Sequence, residues 1–228
     1  MTLVTALQMM TTLNLEPILH SPRLPDIAAV LNERLREEAE LRERFYEEMS
    51  DDLKVEFISG QVVLGEPSRN SHLIARGLLA CLLHTYVEIH NLGAVRVEKC
   101  LCVFPRNDYE PDIVFFGPGK ANRFHSNTMK FPVPDFAVEV LSESTERRDR
   151  GVKFEDYEAH GVQEYWIIDP NEGREVVEQY VLEDGVFHLR LKSGSGEIVS
   201  QVIPNFRIPI RAIFDTRENL TALRTILE

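Results

Sequence analysis

The sequence predicts an α/β fold, in which helices flank a core of mixed β-sheet and β-hairpins are added at each end. Three observations predict it. Apolar runs rich in Val, Ile and Phe predict buried strands at residues 111–116, 134–142 and 164–169. Helical spacing of apolar residues precedes the first run and recurs between the last two. Alternating segments at residues 54–64 and 174–191 predict the hairpins.

The length and composition are those of a globular protein. A chain of 228 residues suits one domain with a terminal extension, and we place the extension and its helix at residues 1–50 and the domain at 51–228. The hydrophobic fraction is 43%, and no run reaches the roughly 18 apolar residues of a membrane helix. The N-terminal segment has neither a basic leader nor a convincing cleavage site, so we expect a cytoplasmic protein.

The three cysteines are Cys81, Cys100 and Cys102, and they show no CxxC spacing. An odd count without that spacing favours buried free thiols in a reducing compartment over a metal or redox site. We therefore expect all three to be structural.

The first 25 residues predict a poorly ordered lead, because prolines interrupt it. From residue 26 to residue 49, apolar side chains recur at helical spacing along a narrow stripe, opposite a face crowded with Glu and Arg. Such a helix packs on the domain or on a second subunit. We expect a homodimer, since this helix and the C-terminal hairpins offer apolar faces that one small core does not cover.

The domain begins with the predicted hairpin at residues 54–64. Residues 70–91 then predict a long helix, and residues 93–104 predict the first strand of the central sheet. At the other end of the domain, residues 201–214 predict an irregular tail, because two prolines exclude a central strand there.

Two carboxylates interrupt the apolar strands. Asp112 lies at the start of one strand, and Glu139 lies in the middle of another. A carboxylate in such a strand is costly to bury unless it is paired, protonated or bound to a metal. Two of them on neighbouring strands would repel, and a hard divalent cation held between them would relieve the repulsion.

A helix follows the Glu139 strand. Residues 142–145 offer N-caps, and residues 146–160 predict an amphipathic helix that ends at Gly161. Lys153 lies in its first turns, where the helix folds back towards the end of the Glu139 strand. The pattern therefore brings acids and a lysine to one edge of the sheet.

The run PDFAVEVLSESTERRDRGVKFEDYEAHGVQEYWIID, with PDIVFF upstream, resembles the putative restriction endonuclease family, a former domain of unknown function within the PD-(D/E)XK nuclease superfamily. The similarity extends roughly from Lys54 to Asp215. It implies a restriction-endonuclease-like fold and a metal-dependent endonuclease that uses Mg²⁺ or Mn²⁺ to hydrolyse phosphodiester bonds in DNA. It also implies that a backbone carbonyl near Val140 helps to hold the metal.

The resemblance also implies roles for residues. By position, Asp112 matches the first acid of the family's motif and Glu139 the second, so both would hold the metal. The superfamily's lysine position is occupied here by Leu141, and the family's displaced lysine corresponds to Lys153.

Two further residues match the family's pattern. Glu56 matches a third acid beside the metal, although a solvent-facing strand glutamate explains it equally well. His72 matches a position that commonly carries His, although a surface or capping histidine is the alternative.

The net charge of −12 is unusual for a protein that binds DNA, since phosphate contacts normally require a basic surface. A local basic rim is still available beside the acids, at Arg147, Arg148 and Arg150. Two alternatives therefore stay open. One is a catalytically silent nuclease-fold protein that binds DNA or assembles with a partner, and the other is a metal phosphodiesterase acting on a small nucleotide.

The acids also predict an effect on stability. If Asp112 and Glu139 raise each other's pKa, Asn and Gln at these positions should leave the metal-free protein at least as stable. If Glu139 instead pairs with an arginine such as Arg147, and Asp112 caps a turn, the same substitutions should destabilise it.

Overall fold

The computed structural model describes residues 15–228. These residues form two compact units. One unit contains residues 15–49 and 59–61, and the other contains residues 50–58 and 62–228.

The first unit is helical, with α1 at Glu16–Leu19 and α2 at Leu24–Glu48. The expectation of a poorly ordered lead is therefore wrong for residues 16–19 and 24–25, whereas the helix predicted at residues 26–49 is present as α2. Pro17 and Pro25 lie in the first helical turns, where a proline leaves no hydrogen bond unmade. The first 14 residues of the predicted lead lie outside the described residues. The apolar residues of α2 that are more than half exposed are Val30, Leu31 and Leu35.

The remaining elements follow in chain order. The strands are β1 (Val55–Ile58), β2 (Gln61–Leu64), β3 (Ala94–Val97), β4 (Leu101–Val103), β5 (Asp108–Tyr109), β6 (Ile113–Phe116), β7 (Lys130–Phe131), β8 (Phe136–Val140), β9 (Glu164–Asp169), β10 (Val176–Glu183), β11 (Val186–Ser193), β12 (Glu197–Val199) and β13 (Arg207–Pro209). The helices are α3 (Asn70–Ile89), α4 (Pro118–Ala121), α5 (Glu146–Asp149), α6 (Val152–Ala159) and α7 (Thr216–Leu227), and a 3₁₀ turn at Ile210–Ile213 precedes α7.

The central sheet has six strands in the order β11-β10-β9-β8-β6-β3. It is mixed, since β8 and β9 run parallel while β6 and β8 run antiparallel. A second sheet has the order β2-β1-β5-β4-β7, and β12 pairs with β13. The predicted α/β fold with a mixed sheet is confirmed, and the three apolar runs became the neighbouring strands β6, β8 and β9.

Both faces of the central sheet are buried. Along β8, Phe136 and Val138 belong to a hydrophobic cluster that includes α3, and Ala137 belongs to a second cluster on the opposite face. Glu139 comes next in this alternation, so its side chain lies on the Ala137 face. Its carboxylate therefore lies beside the second cluster.

Two predicted elements are broken in two. Residues 93–104 form β3 in the central sheet and β4 in the second sheet, and the chain crosses between them where Glu98 and Lys99 adopt φ values of 47° and 46°. The predicted helix at 146–160 separates into α5 and α6 around Gly151. A Cβ at that glycine would lie 2.7 Å from the carbonyl oxygen of Arg147, so a side chain does not fit.

One expectation about the core is wrong, whereas the predicted irregular tail contains the short strand β13, which lies outside the central sheet. Cys100 and Cys102 are buried free thiols, but Cys81 on α3 is exposed. The chain beyond the irregular tail forms α7, which begins because the Asp215 side chain accepts hydrogen bonds from the backbone N–H groups of Arg217 and Glu218.

No helix in residues 15–228 is long and apolar enough to cross a membrane.

Candidate active site

The two acids predicted in apolar strands lie on one face of the central sheet. The antiparallel register of β6 and β8 pairs Ile113 with Val138, so the next position along the ladder sets Asp112 opposite Glu139. Residues directly opposite on one face have Cβ atoms about 4.5–5.5 Å apart. Each of the two acids is only 2% exposed. The sheet therefore brings two buried carboxylates together.

Asp112 is held as an anion. Its Oδ1 lies 3.1 Å from the Lys54 ammonium and 3.4 Å from Nε2 of His72, and its Oδ2 accepts the Val140 N–H at 2.9 Å. Burial alone would raise the pKa of Asp112. The hydrogen bond with His72 and the charge of Lys54 outweigh burial and hold that pKa well below its ordinary value.

The pKa of Glu139 is shifted in the opposite direction, above its ordinary value. Its Oε1 accepts hydrogen bonds from the Lys153 ammonium at 3.0 Å and from the Tyr157 hydroxyl at 2.9 Å. Burial raises the pKa of Glu139 to about 8, and the charges of Asp149 and Asp112 add to this effect while Lys153 opposes it. The expected rise in pKa therefore occurs at Glu139, and it is wrong for Asp112.

Lys153 projects from α6 into the same cluster and is 3% exposed. Its ammonium lies 2.8 Å from Oε1 of Glu56, 3.0 Å from Oε1 of Glu139 and 3.5 Å from Oδ1 of Asp149. Burial by itself would lower the pKa of Lys153, but these three carboxylates raise it well above its ordinary value. The ammonium is therefore charged and links the acids. The alternative pairing of Glu139 with Arg147 is wrong, since its cationic partner is Lys153.

Glu56 and His72 also lie at the site. Glu56, on β1, is 5% exposed and accepts the Glu110 N–H at 3.0 Å, so the solvent-facing alternative is wrong. His72, in the first turn of α3, is 6% exposed and is therefore not a surface histidine. Its Nδ1 is buried and has no hydrogen-bond partner among the described residues.

The site opens into a cavity of about 270 Å³. It is lined by the acids and Lys153, by residues 63–68 and by the segment between β8 and α5. All of these residues belong to the second unit. A substrate group that enters this cavity therefore meets the two acids and the lysine together.

Sequence reasoning missed Lys54, Asp149 and Tyr157. The spacing of four residues between Asp149, Lys153 and Tyr157 was an available signal, because it places side chains on one helical face. Nothing in the sequence singled out Lys54, whose contact with Asp112 joins residues 58 positions apart.

The donor set fits a divalent cation. Within the described part of the chain, the acids Glu56, Asp112, Glu139 and Asp149 contact two ammonium groups, those of Lys54 and Lys153. Neither oxygen of Asp149 accepts a hydrogen bond from a described residue. No three His, Cys, Asp or Glu side chains in residues 15–228 are grouped as a complete metal site. Asp112 and Glu139, which lie opposite each other on the sheet, are the two residues that would hold Mg²⁺ or Mn²⁺, and water and substrate oxygens would have to complete the shell.

A model of the Uma2 family, described as putative restriction endonuclease, matches residues 40–211. The chain belongs to the Uma2 family. The predicted family is thereby confirmed.

The fold of this Uma2 protein is also found among solved structures. The crystal structure of a putative nuclease belonging to DUF820, from Anabaena variabilis ATCC 29413, matches with a TM-score of 0.63 over 75% of this chain and 94% of that one. The two sequences are 18% identical, so this likeness shows the fold. A search of curated proteins found no match. Family and fold together place the Uma2 chain among restriction-endonuclease-like proteins.

Proposed function

We propose that the chain is a metal-dependent DNA endonuclease that hydrolyses phosphodiester bonds and uses Mg²⁺ or Mn²⁺. One observation supports this most strongly. Asp112 and Glu139 lie opposite each other on one sheet face and line a cavity, with the Lys153 ammonium 3.0 Å from Glu139. Membership of the Uma2 family, which is described as putative restriction endonuclease, supports a nucleic-acid phosphodiester as the substrate.

Each residue has a distinct task. Asp112 is ionised and is oriented by the Val140 N–H, so it offers an anionic ligand without rearrangement. Both hydrogen bonds to Glu139 go to Oε1, which leaves Oε2 as the second ligand. A bound cation lowers the pKa of water and stabilises charge on the phosphoryl oxygens.

Glu139 and Lys153 differ in their protonation during the proposed reaction. Because burial raises the pKa of Glu139 to about 8, this carboxyl must release its proton to act as a ligand. The Lys153 ammonium stays charged, so it orients the attacking water and neutralises negative charge that develops at the phosphorus centre. Tyr157 holds the Glu139 carboxyl in place through its hydroxyl.

The test is cleavage of supercoiled plasmid and of circular single-stranded DNA with Mg²⁺, with Mn²⁺ and with EDTA. We expect wild type to nick or linearise DNA only when a divalent cation is present, and Asp112→Asn to lose at least about 100-fold in rate. The matched control is Glu155→Gln, which neutralises an exposed acid on α6 and should cut as wild type does. Cleavage that survives in EDTA, or equal loss in both variants, would contradict the proposal.

One observation favours the silent alternative. Lys54 and Lys153 already engage both acids, as they would in a nuclease fold that holds no metal. Wild type that binds DNA but does not cut it with either cation would establish that alternative.

We also propose that the protein is a homodimer that acts on the two strands of a duplex. The exposed Val30, Leu31 and Leu35 on α2 support it, because they form an apolar stripe of the kind that subunit interfaces cover.

A further inference from the structure

Arg148 differs from the other cationic side chains around the cavity. The cavity is lined by three Lys or Arg residues, namely Lys54, Lys153 and Arg148. The two lysines are neutralised by carboxylates. Arg148 forms no ion pair with a described residue, and its Nε is buried without a hydrogen-bond partner in that part of the chain. A positive charge at the cavity is therefore left unmatched.

An unmatched buried donor is costly. A buried N–H without an acceptor destabilises the folded state, because it has given up its hydrogen bond to water. Neighbouring arginines avoid this cost, since Arg150 donates to Glu178 at 2.8 and 3.0 Å and Arg69 lies 2.8 Å from Glu143. The exposed carboxylate Glu143 is thus taken by Arg69 rather than by Arg148. An acceptor that arrives with a ligand would remove the cost at Arg148.

Hydroxyl groups also line the cavity together with Arg148. They belong to Ser142, Ser144 and Thr145. Their hydroxyls form a chain, with Ser142 Oγ 3.2 Å from Ser144 Oγ and 3.0 Å from Thr145 Oγ1. A guanidinium beside several hydroxyl donors is suited to the oxygens of a phosphate, which accept several hydrogen bonds at once.

We propose that Arg148, with the hydroxyls of Ser142 and Ser144, binds a phosphate group of the nucleic-acid strand that occupies the cavity. The inference rests on the proposed function, because it takes a nucleic-acid strand as the ligand. Arg148 is a binding residue here, and the chemistry stays with Asp112, Glu139 and Lys153. This site supplies a local positive charge to a protein whose net charge is −12.

The adjacent Arg147 offers a matched control. It lies on the same short helix, carries the same charge, is exposed and does not line the cavity. Arg147→Gln and Arg148→Gln therefore change the net charge equally, but only Arg148→Gln removes a charge that lines the cavity. Arg148→Lys keeps the charge but loses the two-pronged hydrogen bonding of a guanidinium.

The experiment measures binding of a fluorescein-labelled DNA duplex by anisotropy over a series of salt concentrations, in Ca²⁺ buffer. For Arg148→Gln we expect affinity to fall about tenfold or more, and the slope of log affinity against log salt to shrink by about 0.9. Arg147→Gln should change affinity by less than about twofold, as for a screened surface charge. Arg148→Lys should keep the wild-type slope with intermediate affinity. Thermal melts of each variant check folding. If Arg148→Gln does not fold, Arg148→Lys is the test, and an affinity equal to that of wild type would then contradict the inference.

The outcomes separate the two proposals. Unchanged binding in Arg148→Gln, or an equal loss in Arg147→Gln, overturns this inference and leaves the nuclease proposal standing. Wild type that binds DNA without cutting it defeats the nuclease proposal, and the Arg148 effect is still measured by binding. Wild type that binds no DNA overturns both.

Discussion

Replacing Lys153 with Met removes the cation that links the acids while keeping a side chain of similar length. The ammonium lies within 3.5 Å of three carboxylates, on Glu56, Glu139 and Asp149, and the residue is 3% exposed. Removing one partner from a buried ion pair typically costs about 3–5 kcal/mol, because the other charge stays buried without it. We expect Lys153→Met to lose this much unfolding free energy at pH 7 in EDTA.

The loss should depend on pH. Burial raises the pKa values of Glu139 and Asp149, and Lys153 opposes this rise, so without the ammonium both pKa values lie still further above their unfolded-state values. Their stabilising contribution is then present only at low pH and is lost as pH rises. The gap between wild type and Lys153→Met should therefore be smaller at pH 5 than at pH 8.

Urea unfolding followed by circular dichroism measures both effects. The control is Lys192→Met. Lys192 lies 3.0 Å from Glu178, but its side chain is 57% exposed, so the loss should stay below about 1 kcal/mol. Equal losses in the two variants, or a gap that does not grow with pH, would refute the reasoning about the buried lysine.

The remaining predictions concern the acids, a glycine and the assembly. In EDTA at pH 7, Asp112→Asn should lose about 2 kcal/mol of unfolding free energy, since it gives up the ion pair with Lys54 and weakens the contact with His72. Glu139→Gln should lose less than about 1 kcal/mol of unfolding free energy, since a carboxyl with a pKa of about 8 is already mostly neutral at pH 7. Thermal melts in which Glu139→Gln is the less stable of the two variants would contradict these protonation states. Gly151→Ala should lower the unfolding free energy by roughly 1–3 kcal/mol, because its Cβ would lie 2.7 Å from a backbone oxygen. In the control Gly119→Ala the new Cβ meets nothing within 4 Å, so urea titration should show unchanged stability. Light scattering at micromolar concentration should give twice the monomer mass of 26.2 kDa, and the monomer mass itself would disprove the dimer.

The sequence predicted the strands around the acids well, because short apolar runs have few alternatives in a globular chain. The period of two then determines which side chains share a face, so the apolar pattern around Glu139 carried much of the site's geometry. The predicted helix after the Glu139 strand already placed Lys153 near the acids, but only the family resemblance gave it a role in catalysis.

Other features depend on long-range contacts that local patterns do not contain. The contact of Lys54 with Asp112 joins the residue before β1, in the second sheet, to the residue before β6, in the central sheet, and no local period encodes it. The pKa values of the two acids diverge for the same reason, since Lys54 and His72 reach Asp112 from other parts of the chain. The break before α6 was missed because helical periodicity continues through Gly151, although the glycine itself was visible.

The central claim is that Asp112 and Glu139 together hold the divalent cation of a nuclease. Anomalous diffraction from a crystal soaked in Mn²⁺ tests it most directly. We predict an anomalous peak for a Mn²⁺ ion that lies about 2.0–2.2 Å from one oxygen of each acid, and we expect the Lys54 ammonium no longer to contact Asp112. Absence of a peak at saturating Mn²⁺, with Lys54 and Lys153 still paired to the two acids, would contradict the account.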